Sequence, residues 1–151
     1  MPNPKARAAA LHASPEDAEA QFYEALRDGD LDRVMAVWAD DEDVVCVHPG
    51  GSRVVGPQAV RAAFEAIFSS GQIAVHAEHV KQVHAMGCAV HSVLERIDVV
   101  TIEGPRTGWI VATNVYVKTS QGWRMVAHHA SPGAPDEIPE IVASETPSVL
   151  H

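Results

Sequence analysis

The apolar positions of the chain change their spacing near residue 70. Before it they recur at helical intervals, and after Gly71 they come in long runs rich in Val, Ile, Thr and aromatic residues. Ala18, Phe22, Ala25 and Leu26 fall at i, i+4, i+7 and i+8, which is one stripe of an amphipathic helix. Ser14 stands before it as a cap, Pro15 suits its first turn, and Asp17 completes a box-like S-x-x-D. "RDGD" ends that helix, with Gly29 as a left-handed cap and Asp30 capping the next. Leu31, Val34, Met35 and Trp38 give the second helix its face. A third is predicted from Pro57 to about Ser69, with Val60, Phe64, Ile67 and Phe68 inward. Between the second and third, "DVVCV" reads as one short strand, ending at His48 and a Pro-Gly-Gly break.

Four runs follow: "QIAVHAEHVKQVHAM", "CAVHSVLERIDVVTI", "TGWIVATNVYVKT" and "GWRMVAHHA". Gly87, "EGP" and "SQG" separate them as turns between consecutive strands. The expected fold is α+β. Three N-terminal helices pack on a strongly curved antiparallel sheet, and the cone so formed leaves an apolar cavity at its wide end. The domain is expected over residues 14–133, between a flexible N-terminal segment (1–13) and a Pro-rich tail (134–151). The outer face of such a sheet needs a cover, and a homodimer through that face would supply it.

Composition narrows the partners. The net charge is −9, from 20 acidic against 11 basic residues without a basic cluster, so neither nucleic acid nor an anionic membrane is expected. No apolar stretch approaches the roughly 20 residues that span a bilayer, and no signal-peptide pattern opens the chain, so the expected location is cytoplasmic. Cys46 and Cys88 sit in apolar runs and read as free thiols. His84 and His91 flank Gly87 across a turn and could meet, but without H-E-x-x-H, C-x-x-C or an obvious third ligand the expectation is no metal. No phosphate-binding or dinucleotide-binding glycine loop is present, and no cofactor is expected.

The segment "FYEALRDGDLDRVMAVWADDEDVVCVHPGGSRVVGPQAVRAAF" resembles the opening of the SnoaL-like branch of the nuclear transport factor 2-like superfamily, with its "GDLD", acidic turn, strand and G-x-x-A-[VI] helix start. "TNVYVKTSQGWRMVAHHASPGAP" resembles the closing hairpin of that group and the last strand of calmodulin-dependent kinase association domains. The superfamily includes ketosteroid isomerases and polyketide cyclases as well as assembly domains, so the likeness implies the cystatin-like cone more firmly than an activity. In the isomerases an acidic base precedes a proline. The similar position here is His48 before Pro49. Their oxyanion tyrosine stands seven residues before the glycine of the helix end, which is Phe22 here. Tyr23 is adjacent, about 100° further around the helix. Likeness to the kinase domains sets His128 on the inner face and His129 outward, with Asn114 at another inward position.

These readings give His48 as candidate base, with His128 or Asn114 stabilising an oxyanion. Trp38, Phe22, Phe64 and Trp109 would wall the pocket. The function expected is binding of a small, largely apolar molecule, with cofactor-independent isomerase, cyclase or dehydratase chemistry. The alternative is a non-catalytic ligand-binding, dimerisation or assembly module.

Overall fold

The computed structural model describes residues 12–134 and 137–143. The remaining residues, which hold most of both expected terminal segments, lie outside the described ones. Helix α1 spans Pro15–Asp28, and the Ser14 side chain accepts the N–H of Asp17 at its start. It ends at Gly29, whose φ of 64° is the left-handed region where an added Cβ is strained. Helix α2 (Leu31–Val37) is capped by Asp30, which accepts from the Arg33 N–H, and α3 spans Pro57–Phe68. Proline at the first helical positions of α1 and α3 costs no hydrogen bond, because those N–H groups lack an intrahelical partner anyway.

The strands are β1 (Val45–Val47), β2 (Val54–Val55), β3 (Val75–Ala85), β4 (Cys88–Thr101), β5 (Gly104–Thr119) and β6 (Gly122–Pro132). The last four form the expected antiparallel meander. The sheet order is β2-β1-β6-β5-β4-β3, so the strand expected in "DVVCV" is β1, a second short strand, β2, follows it before α3, and the two extend the sheet beyond β6. The β1–β6 pairing is parallel, which makes the sheet mixed rather than purely antiparallel. The chain leaving α2 already tracks β6, since Trp38 bridges Met125 in parallel and the Ala39 N–H donates to the Met125 carbonyl at 2.9 Å. This pairing covers what would be a bare strand edge on β6.

Two register shifts distort the sheet, at Glu78/Lys81 on β3 and opposite Val115/Tyr116 on β6. In the second, Val126 is the extra residue, so Met125 and His128 both face inward although they are three apart. The helices cover the inner face. Phe22, Val34, Val37, Val60, Val93 and Met125 are wholly buried there and form the apolar core.

Candidate functional site

The strand register sets side chains of one parity on the inner face. One cross-strand line there is polar from end to end. Gln82 lies opposite His91, His91 opposite Asn114, Asn114 opposite His128, and His128 beside Cys46 of β1. Three residues of α1 lie over this line. Glu19 and Tyr23 are one helical turn apart and Phe22 lies between them, so all three face the sheet.

Glu19 Oε2 accepts from Tyr116 Oη at 2.8 Å and from Asn114 Nδ2 at 3.4 Å, and lies 2.9 Å from His91 Nδ1. Tyr23 Oη donates to Glu95 Oε2 at 2.7 Å and accepts from Asn114 Nδ2 at 2.9 Å. Asn114 Oδ1 lies 2.5 Å from His128 Nδ1. Because that oxygen is an acceptor, the proton is assigned to Nδ1 and Nε2 of His128 keeps its lone pair. All seven residues, Glu19, Tyr23, His91, Glu95, Asn114, Tyr116 and His128, are buried. Such a set is costly to bury unless its members satisfy one another, and each hydrogen bond strengthens in the low-dielectric interior.

Burial also sets the charges. Glu95 is pushed up to about 7, first by desolvation and then by the nearby Glu19 carboxylate, against the hydrogen bond from Tyr23. His128 is pushed down to about 3 by desolvation and then by the neighbouring His48 and His129, so its imidazole is neutral at physiological pH. Desolvation lowers His48 as well.

His48 stands half-buried just past β1, edge-on to Phe64 at 4.7 Å between ring centres and 6.0 Å from the ring of His128. Its Nε2 is 3.5 Å from Cys46 Sγ. Burial and the Glu95 charge push the Cys46 thiol up to about 12, so it is protonated and no nucleophile at neutral pH. Trp38, Phe22 and Phe64 form one aromatic group, with Phe64 5.9 Å from Phe22 and 6.4 Å from Trp38. Fold and register thus bring His48, His128, Asn114, Phe22, Phe64 and Trp38 to one end of the core.

Three sequence expectations change. Trp109 pairs with Arg96, on the parity opposite to Asn114, so it lies on the outer face beside His79 and not in the pocket wall. The hollow expected at the wide end is filled by side chains: Phe22, Asn114 and Tyr116 are 0% exposed and Phe64 is 1%. Asn114 already uses its amide hydrogens on Tyr23 and Glu19, which leaves no donor for an oxyanion. An open groove of about 470 Å³ lies instead between α1 and β3, and Glu16, Glu19, Tyr23, Arg27 and His76 border it. Sequence reasoning also passed over Glu19, Glu95 and Tyr116, and it considered Tyr23 and His91 without giving them a place in this site. The available signal was a Glu and a Tyr at i, i+4 on the flank of the α1 stripe, a position that usually faces solvent.

The fold is that of the nuclear transport factor 2-like class, and comparison with known proteins narrows the class. The SnoaL-like domain matches residues 16–135, so the chain belongs to the SnoaL-like domain family. A structure from Thiobacillus denitrificans, provisionally described as a calcium/calmodulin-dependent protein kinase type II association domain, is 38% identical. It superposes with a TM-score of 0.73 over 80% of this chain and 95% of that one. A provisionally described dehydratase of the NTF2-like family from Streptomyces avermitilis is 29% identical, with a TM-score of 0.69 over 78% and 91% of the two chains. A cystatin-like protein from Caulobacter vibrioides shares the fold at 17% identity, with a TM-score of 0.68 over 80% and 87%. No curated protein matches the chain significantly. Among the described residues no helix is long and apolar enough to cross a membrane.

Proposed function

We propose that the protein binds a small carbonyl compound at the rim marked by His48 and moves a proton on it without a cofactor. One observation carries this reading: a half-buried histidine stands next to a buried, neutral His128 whose proton is fixed by Asn114, Tyr23 and Glu95 in turn. With its basicity lowered by burial, His48 is unprotonated at neutral pH and free to accept a proton. His128 presents a lone pair and holds its orientation. The apolar part of the ligand would lie on Phe64 and Trp38, after side-chain movement opens the filled end of the core. A neutral pair of imidazoles favours an uncharged ligand over an anion. The likeness to a provisionally described dehydratase agrees with loss of water.

The test is deuterium incorporation from heavy water into a panel of ketones and enones, followed by NMR. Wild-type protein should catalyse exchange into at least one of them. His48→Gln should abolish it and leave the melting temperature within about 2 °C, since that position is half-exposed. Exchange that survives His48→Gln would refute the assignment.

A second reading, a dimerisation or assembly module, is favoured by the outer face of the sheet. There Val90, Val115 and Ala127 lie in one cross-strand line, and Leu94 and Val111 pair beyond Ser92 and Thr113. This apolar surface suits a second copy of the chain, and the likeness to a provisionally described association domain agrees. Light scattering should then show a multimer that Val115→Lys dissociates.

A further inference from the structure

We propose that Glu16, His84 and His91 form a site for a divalent first-row transition metal at the start of α1. The inference stands apart from the proposed chemistry at His48. His84 lies opposite Ala89 across the β3–β4 hairpin and His91 lies opposite Gln82, so the two histidines are diagonal neighbours on the inner face. Their rings stack with centres 5.9 Å apart. The first turn of α1 brings Glu16 over them, with Oε1 3.2 Å from His84 Nε2. Ligand atoms of all three residues lie within 4.8 Å of one another. The sequence shows the histidine pair, and the fold supplies the third ligand from a distant helix.

The independent sign is a nitrogen without a partner. His91 is 0% exposed, and its Nε2 makes no hydrogen bond among the described residues. Its other nitrogen, Nδ1, faces Glu19 Oε2 at 2.9 Å. With the proton on Nδ1, Nε2 carries a bare lone pair, and a buried polar atom in that state is an anomaly that a metal ion would resolve. A histidine whose far nitrogen donates to a carboxylate is the usual arrangement of a metal ligand, because the carboxylate fixes the ring and raises its basicity. Glu16 and Glu19 are three residues apart, so one helical turn supplies both the ligand and the orienting carboxylate.

Two imidazoles and one carboxylate suit Zn²⁺, Co²⁺ or Ni²⁺, whereas Ca²⁺ and Mg²⁺ take oxygen donors. Metal–nitrogen bonds of about 2.0–2.1 Å need the three groups to draw slightly closer. The side chains of Glu16 and His84 are 45% and 46% exposed and can turn to do so, whereas His91 is fixed. Both Glu16 and Glu19 border the groove between α1 and β3, which gives the ion a way in and leaves coordination positions for water or a ligand.

The test is titration of the untagged full chain with Co²⁺, read by its visible d–d absorption, followed by displacement with Zn²⁺. One Co²⁺ per chain is expected, with Zn²⁺ raising the melting temperature as its concentration rises. His84→Ala and Glu16→Gln change exposed side chains, so both variants should fold, and each should weaken binding at least about tenfold. Absence of stoichiometric binding would overturn the site. So would undiminished binding by the double variant, which would assign the ion to other histidines.

Discussion

Replacing Glu95 by Gln should stabilise the protein at pH 8 and leave it unchanged at pH 4.5. The folded state holds the Glu95 carboxyl at about 7, against an ordinary value of 4.5, because the group is 5% exposed and sits near Glu19. Between those pH values the folded chain keeps a proton that the unfolded chain has released. A state that binds more protons loses ground as pH rises, so the cost of Glu95 is absent below about 4.5 and complete above about 7. The interval from 4.5 to about 7, at about 1.4 kcal/mol per pH unit, amounts to about 3 kcal/mol. Glutamine has nearly the same shape, keeps an oxygen for the Tyr23 hydroxyl and never ionises. Urea unfolding followed by tryptophan fluorescence, at intervals from pH 4.5 to 8, gives the free-energy difference between variant and wild type. Histidines that titrate in both proteins cancel in that difference. It should be near zero at the acid end and climb to about 3 kcal/mol at the alkaline end. A difference that is flat across the range would refute the raised carboxyl.

Three further outcomes are expected. His128, held down to about 3, should keep the NMR signature of a neutral imidazole to about pH 4; its contribution to stability is present above 6.5 and lost as pH falls toward 3, and protonation near pH 6 would contradict its burial. Asn114→Leu strands the His128 N–H and removes the donor to Tyr23 and Glu19, so urea unfolding should show a loss of about 2–4 kcal/mol. Phe64→Ala empties a position that is 1% exposed and packs against four aromatic rings, and should cost about 3–5 kcal/mol by the same assay.

The helices were legible because their signals are local. Ser14, Gly29, Asp30 and Pro57 act within one turn of their own position, and each is where its residue type implies. The meander was legible for a similar reason, as its three turns join consecutive strands. Pairing of β1 with β6 links positions about 80 residues apart, and nothing local in "DVVCV" announces it. The parity of Trp109 was lost in the same way: alternation says that neighbours point apart, but only the register says which of them points inward. The site suffered most. Glu19 meets His91 and Tyr116 across 72 and 97 residues, and Tyr23 meets Glu95 across 72. An acidic residue on a helix reads as solvated until its partners are known.

Once the partners are known, the two faces of the sheet depart from the usual pattern in opposite directions. A half-buried antiparallel sheet normally turns apolar side chains inward and polar ones to water. Here the line through the middle of the inner face is His91, Asn114 and His128, while a neighbouring outer line is Val90, Val115 and Ala127. Hydrophobic burial alone would select neither. The inner line is held by Glu19 and Tyr23 of α1, and removing one member leaves the others buried without partners, which fixes the docking of that helix more tightly than apolar packing would. The outer line gains its stabilisation only when something covers it. An inner face tied together by buried hydrogen bonds and an apolar outer face suit a domain that keeps a site on one side of its sheet while it associates through the other. The two proposed readings, a proton-transfer site at His48 and an assembly surface around Val115, are therefore compatible, because they use opposite faces of the same strands.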